Sequence, residues 1–359
     1  MIAADGKNPL VSVVVPVYNA ARTINKCVDS LISQTYVNIE VLLINNGSTD
    51  DSFNACQKIA SKDVRIRVFD QREKGVSAAR NRGIQESIGE YVMFVDADDW
   101  IDSDVCKVFA EQNAKNDYDL FCFSAKYHKR KKITTTYLFE RNIDLLNANQ
   151  KEELQIKVFA PQAPDCIFKV NTRFSASVWG KFYKRKMLID NNLWFAKETI
   201  ISEDCLFNVL VLDYPEKIGF SRDVYYHYEQ HFDNSAQNSY RRNSEQYFAY
   251  VINQIKEWLL NTKKSQRFVD AANCLFVHYV FGTLKEDFFH LNNTLSFEQK
   301  KKKAIYVFSQ SPYRECLNEY NPTFFSLTEK ILITLIKKRR YAVIRVLLYF
   351  YNMMLSFNM

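Results

Sequence analysis

The sequence predicts an α/β fold with a mainly parallel sheet flanked by helices and a helical C-terminal extension, and three observations carry that expectation. Apolar, β-branched runs alternate with helically spaced stretches between residues 10 and 95. Polar and acidic residues follow directly after those runs, where ligands bind in sheets of this kind. From about residue 244 onward the chain is helical in pattern and rich in Lys, Phe and Tyr.

Residues 10–17 (LVSVVVPV) read as a buried strand, with Ser12 its only polar break and Pro16 marking its end. Residues 20–34 follow with Ile24, Cys27, Val28, Leu31 and Ile32 on one helical face. Residues 39–44 (IEVLLI) form the next strand, and Asn45-Asn-Gly-Ser48 is a turn signal. Asp50 or Asp51 is placed to cap a helix running to about Ser61. Residues 65–69, 77–87 and 90–95 read as strand, helix and strand. Between residues 102 and 240 strands and helices mix less regularly.

At 359 residues and 47% hydrophobic, the chain can bury a large core, and its length suggests about two domains. Its 14% aromatic content argues against long disorder. A net charge of +7 suits an anionic partner, with nucleic acid, sugar nucleotide and acidic lipid all qualifying. The eight cysteines are scattered without a CxxC pair, so reduced, buried thiols are expected. Residues 1–7 lack the apolar core of a signal peptide, and no segment reaches the apolar length of about 18–20 residues that crosses a bilayer. A cytosolic protein, or one attached to a membrane from the cytosolic side, is the expectation.

Three motifs carry chemistry. In Val95-Asp-Ala-Asp-Asp-Trp100 an apolar strand ends in three carboxylates. In extended chain Asp96 and Asp98 share a side, and paired carboxylates resist joint ionisation unless a cation lies between them. Mn²⁺ or Mg²⁺ suits such ligands and neutralises a diphosphate; capping of a helix starting near Asp102 is the alternative. Gly75-Val-Ser-Ala-Ala-Arg-Asn-Arg-Gly83 offers Arg80 and Arg82 to a phosphate, or is an ordinary loop with solvated arginines. Glu203-Asp204 precedes an apolar helical stretch; a carboxylate there either deprotonates an acceptor hydroxyl or favours the helix dipole.

Taken together these motifs resemble family 2 glycosyltransferases. The matches are Val13-Val-Val-Pro-Val-Tyr-Asn19, Asn45-Asn-Gly-Ser-Thr-Asp50, residues 75–83, Phe94-Val-Asp-Ala-Asp-Asp99 and Ser202-Glu-Asp-Cys-Leu-Phe-Asn208, in the family's order over about residues 10–240. The resemblance implies a GT-A (Rossmann-like) catalytic domain over 1–240, with a nucleotide-binding half at 10–100 and an acceptor half at 101–240. A helical region at 241–359 follows it. It implies that Pro16, Tyr18 and Asn19 line the nucleotide pocket, that Asn46 meets the base, and that Arg80 lies near the diphosphate. Asp96 would approach ribose and metal, Asp98 would be the main ligand of Mn²⁺ or Mg²⁺, and Asp204 the general base with Glu203 beside it. Trp179, Gly180 and Lys181 would border the acceptor. The partners implied are a nucleotide-sugar donor and a saccharide or lipid-linked oligosaccharide acceptor of the O-antigen or capsule kind, with no nucleic acid. Two departures stand out: Asn46 replaces a common Asp, leaving uridine the first choice of base, and Glu229 sits where relatives often have Arg. Neighbouring His227 is either a contact to metal or diphosphate, or structural.

Residues 324–354 combine apolar side chains with Lys330, Lys337, Lys338, Arg339, Arg340 and Arg345, against one acid, Glu329. Such a pattern fits a basic amphipathic helix on the cytoplasmic leaflet, or a helix packed on the protein or in a dimer. Lys300–Lys303 reads most simply as a solvated helix face. A sugar-nucleotide pyrophosphorylase would want a Gly-rich basic loop after the first strand, where Pro16-Val-Tyr-Asn19 stands instead. A non-catalytic basic module binding membrane or RNA accounts for the charge and leaves the carboxylates unexplained.

Overall fold

The computed structural model describes residues 8–71, 73–129, 132–160, 176–230 and 240–357. The described residues fall into two compact units, one up to residue 230 and one from residue 240.

The first unit is built on one nine-stranded sheet. Its strands are β1 (Val11–Val17), β2 (Ile39–Asn45), β3 (Ile66–Asp70), β4 (Tyr91–Phe94), β5 (Trp100–Ile101), β6 (Leu120–Lys129), β7 (Lys132–Thr136), β8 (Lys181–Lys184) and β9 (Ile218–Glu229). They run in the order β3-β2-β1-β4-β8-β6-β9-β5, with β7 on β6. Strands β3, β2, β1 and β4 are mutually parallel, as the alternation predicts. Beyond β4 the sheet turns mixed: β8 is antiparallel to β4 and β6, while β9 is parallel to β6 and antiparallel to β5. The expectation of a mainly parallel sheet therefore describes the nucleotide half only. In the acceptor half, residues 120–122 of β6 pair directly and antiparallel with residues 181–183 of β8.

The intervening helices are α1 (Ile24–Ile32), α2 (Ser52–Ala60), α3 (Val76–Glu86), α4 (Val105–Asn116), α5 (Ala148–Phe159), α6 (Arg185–Asp190) and α7 (Glu203–Val211). Helix α1 buries Ile24, Cys27, Val28 and Leu31, the face its spacing selects. Ser12 in β1 is explained by partners: its hydroxyl donates to Glu40 and accepts from the Gly89 amide at 2.9 Å. Helix α3 lies tightly on β1, because a Cβ at Gly83 would meet Val14 Cγ1 at 2.1 Å. Capping differs from expectation at α2. Asp51 occupies the cap position without a side-chain bond to a helix amide, whereas Asp50 accepts from the amides of Ser52 (3.0 Å) and Ala21 (3.2 Å), tying two loops together. The seven cysteines among the described residues are buried thiols; Cys166 and residues 1–7 lie outside them.

The second unit is helical: α8 (Ser244–Thr262), α9 (Gln266–Thr283) running into a π-helical turn at Leu284–Phe288, α10 (Phe297–Ser309), α11 (Tyr313–Asn318), α12 (Leu327–Lys337) and α13 (Tyr341–Phe357). Capping boxes at Ser296/Gln299 and Ser326/Glu329 start α10 and α12. The basic run at 300–303 is not simply solvated. Lys303 pairs with Glu245 (2.9 Å) and Asp287 (3.1 Å), and Lys300 donates to the Asn293 carbonyl at 2.8 Å. Helix α13 buries Tyr341 and Ile344 and leaves Val343, Val346, Leu347 and Phe350 exposed at i, i+3, i+4, i+7 spacing. No helix among the described residues is long and apolar enough to cross a membrane.

Candidate active site

Parallel register aligns the carboxyl ends of the strands: Val17 sits beside Asn45, and Asn45 beside Asp70. After β1 the chain turns with Asn19 in the left-handed region (φ 49°). Asn19 N–H donates to Ser48 Oγ (3.1 Å), and Asn19 Oδ1 accepts from the Thr49 amide (2.8 Å). Tyr18 next to it is 56% exposed and open to a ligand. Asn46 is buried, and its Oδ1 accepts from the Gly75 amide at 2.9 Å. The oxygen that the resemblance turns toward a base is thus already engaged with the start of α3, where Gly75 takes φ 122°. One lone pair on that oxygen is left for a second donor.

Beyond β4 the Val95 amide still donates to Val14 O at 3.1 Å, and the chain then turns, with Asp99 N–H donating to Asp96 O at 3.0 Å. Exposure alternates through this turn: Asp98 is exposed and Asp96 half-buried, while Ala97 and Asp99 are buried. The three carboxylates therefore divide. Asp99 is 1% exposed and accepts from the Tyr226 hydroxyl (2.6 Å) and the Glu229 amide (2.8 Å), while the Asp96 amide donates to Tyr226 Oη at 3.2 Å. Burial, then the charges of Asp96 and Asp98, hold the Asp99 carboxyl well above the usual range. Asp99 anchors the turn; Asp96 and Asp98 are presented by it. Helix capping is not their role, because β5 follows and α4 begins at Val105.

Arg80, in the middle of α3, is buried and gathers carboxylates from distant parts of the chain. Its Nη1 donates to Asp204 and lies 3.4 Å from Glu203 Oε1, and its Nη2 is 3.3 Å from Asp96 Oδ1. Rather than facing open space for a diphosphate, the guanidinium binds three carboxylates. Glu203 and Asp204 form the first turn of α7, as the helix-start alternative expects. Burial lifts the Asp204 carboxyl to about 7, with Glu203 adding to the rise and Arg80 opposing it. Burial also raises Asp96, against Arg80 and with Asp204.

The expected acceptor border lies inside the protein in this structure. Trp179 stacks on Tyr226 (centroids 4.4 Å apart, 8° between planes), Gly180 takes φ 71°, and Lys181 is fully buried, donating to the Ser177 carbonyl. Burial pushes the Lys181 ammonium down to about 8. Buried in this way, Lys181 offers no surface to a sugar in this structure. His227 is likewise not presented as a metal ligand. Its Nε2 is 2.9 Å from Asp102 Oδ1, its Nδ1 2.9 Å from His128 Nε2, and its ring stacks on Trp100 (4.9 Å, 7°), so both nitrogens are engaged. Glu229 lies 3.8 Å from Lys26, whose ammonium sits over the Trp100 ring. Tyr226 was missed in the sequence; its only signal there is a Tyr-rich strand.

Among the described residues no group of three or more His, Cys, Asp or Glu is arranged to hold a metal ion. Mg²⁺ bound with substrate phosphates typically uses one or two protein carboxylates. Half-buried Asp96 and exposed Asp98, two carboxylates on one turn, fit that smaller requirement. A separate polar cavity of about 360 Å³, lined by Asp70, Gln71, Glu73, Asn81, Arg82 and Lys197 among others, opens at the end of β3 and includes none of these carboxylates.

The chain is similar to known proteins along this same domain. Residues 12–178 match the model for Glycosyl transferase family 2. EpsJ of Bacillus subtilis (strain 168), an uncharacterized glycosyltransferase, is 31% identical over 236 residues, covering 65% of this chain and 64% of EpsJ. The putative glycosyltransferase EpsH of the same organism is 30% identical over 64% of each chain. The cholesterol galactosyltransferase of Borreliella burgdorferi is 28% identical over 60% of this chain and 59% of that protein. The chain thus spans less than two thirds of the length of these relatives. Among solved structures, TarS 1–349 of S. aureus in complex with UDP-GlcNAc has a TM-score of 0.66 at 20% identity, covering 96% of this chain and 91% of that one. That likeness shows a shared GT-A fold. With the family model and the relatives in agreement on the same domain, residues 12–178 carry a glycosyl transferase family 2 domain on a GT-A fold.

Proposed function

We propose that this chain is an inverting glycosyltransferase that moves a sugar from a nucleoside-diphosphate donor to a hydroxyl of a glycan or diphospholipid-linked saccharide in cell-surface polysaccharide synthesis. The observation that carries this reading is the meeting of Asp96, at the end of β4, with Asp204, at the start of α7, across Arg80. A donor-side carboxylate and a candidate base share one buried cation although more than a hundred residues separate them. UDP is the first choice of nucleotide, supported by the UDP and UDP-GlcNAc complexes of TarS.

In this reading Asp204 accepts the proton of the acceptor hydroxyl while that oxygen bonds to the anomeric carbon. The bond from that carbon to the diphosphate oxygen breaks on the opposite face, and the nucleoside diphosphate departs. A single displacement inverts the anomeric centre and needs no enzyme nucleophile. An Asp lifted to about 7 is matched to this task, since a base works best with its pKa near the operating pH. Asp98, with Asp96, would hold Mn²⁺ or Mg²⁺, which when bound supplies positive charge against the leaving diphosphate. Tyr18, Asn19, Pro16 and Asn46 form the nucleotide side, with Tyr18 offering its open ring.

Peripheral attachment to the cytoplasmic leaflet through α12 and α13 belongs to the same proposal. It is supported by the exposed apolar stripe of α13 and the cluster Lys337, Lys338, Arg339 and Arg340 beside it. A screen of nucleotide sugars with Mn²⁺ and synthetic diphospho-lipid acceptors, read by mass spectrometry, tests the activity. One donor should add the mass of a single sugar. Absence of both transfer and metal-dependent nucleotide binding would instead favour a non-catalytic module.

A further inference from the structure

Helix α3 is fixed in place at two points: Gly75 starts it on Asn46, and Gly83 seats it against Val14. Arg80 therefore projects from a rigid element, with its guanidinium carbon 5.3 Å from the centroid of Phe195 and its side chain 4% exposed. The guanidinium is a planar fork that can hold two carboxylates at a set separation, which an ammonium cannot do. One arm takes Asp204 and Glu203, the other Asp96.

The two ends of this bracket differ in how else they are held. Asp96 lies in a turn pinned independently by Tyr226, through its own amide and through Asp99. Asp204 lies in the first turn of α7, following Ser202 in the left-handed region at φ 59°, and its carboxylate takes its ion pair from Arg80. Loss of the fork consequently falls on Asp204 more than on the donor-side turn.

We propose that Arg80 is a positioning residue that aims Asp204 at the acceptor hydroxyl and does not itself bind the donor diphosphate. This rests on the proposed glycosyl transfer. The test compares Arg80→Lys with the native chain in donor binding by calorimetry, in kcat and KM, and in thermal unfolding. Arg80→Lys keeps the charge and loses the fork. Its donor dissociation constant should stay within about threefold, while kcat falls about 100-fold, the scale of a 1 Å misplacement. Adding Asp204→Asn to Arg80→Lys should lower kcat no further than Asp204→Asn alone, because both act through one carboxylate.

Unchanged kcat in Arg80→Lys would overturn the proposal, since charge alone would then suffice. Donor binding weakened tenfold or more with saturated kcat intact would overturn it too, making Arg80 a phosphate ligand. A native chain that transfers no sugar from any donor defeats the functional reading instead. The bracket is then read from unfolding: Arg80→Gln should melt earlier than the native chain, and Asp204→Asn added to it should recover part of the loss. No recovery would overturn the bracket itself.

Discussion

Replacing Tyr226 by Phe removes one oxygen and isolates the anchor of the acidic turn. The Tyr226 hydroxyl donates to Asp99 at 2.6 Å and accepts the Asp96 amide at 3.2 Å, and both the ring and Asp99 are buried. The Phe ring keeps the stack on Trp179, so packing changes little. Two buried polar groups then lose a partner, each at about 1–3 kcal/mol, for a total of about 3 kcal/mol. In a unit of this size that is a fall in Tm of roughly 6–12 °C. Calorimetry of Tyr226→Phe beside Tyr18→Phe, whose side chain is largely exposed, provides the comparison, with Tyr18→Phe moving less than about 2 °C. Donor binding should weaken alongside, because the turn that presents Asp96 and Asp98 loosens. A Tyr226→Phe protein that melts within 2 °C of the native chain would refute the claim that β9 holds the turn.

Four further outcomes follow from the structure. With Asp204 lifted to about 7 by burial and active when ionised, kcat/KM should rise about tenfold per pH unit below 7 and level off above it; an acid limb near pH 4 would contradict this. Because that raised carboxyl binds its proton more tightly in the folded state, Asp204 should lower stability as pH rises from about 4 to 7, and urea titrations of Asp204→Asn should lack that part of the slope. Gly83→Ala puts a Cβ 2.1 Å from Val14 Cγ1 and should destabilise by about 1–3 kcal/mol, measured by urea unfolding; a neutral effect would mean α3 is not seated on β1 as described. Serine at Lys337, Lys338, Arg339 and Arg340 should cost about 1 kcal/mol each in binding to anionic vesicles, so flotation with phosphatidylserine liposomes should fall at least 100-fold, and unchanged flotation would place membrane attachment elsewhere.

Much of the nucleotide half was legible because its signals are local. Apolar runs fix β1, β2 and β4, and the alternation of the more exposed Asp96 and Asp98 with buried Ala97 and Asp99 follows the period of two that the sequence suggests. Roles set by distant partners were not legible. Asp99 reads as one more acid in a cluster until Tyr226 and the Glu229 amide close on it. Arg80 reads as a phosphate donor in a Gly-bounded loop because its carboxylates lie 16 and 124 residues away. The partners of His227 and Lys181 were hidden for the same reason: the resemblance suggests metal or acceptor contacts, and the structure adds Asp102, His128 and the Ser177 carbonyl as their neighbours. The mixed half of the sheet escaped for a related reason, since β8 is four residues long and gains its strand character from β4 and β6 on either side.

The separation of binding from chemistry at Asp204 and Asp98 is the most direct measurement of the account. Donor binding and transfer would be followed in Asp204→Asn and Asp98→Ala with Mn²⁺ present. Asp204→Asn should bind the donor as the native chain does and lose about 100- to 10,000-fold in kcat, the range of general-base contributions. Asp98→Ala should lose metal-dependent nucleotide binding as well as transfer. Full transfer by both variants would contradict the account.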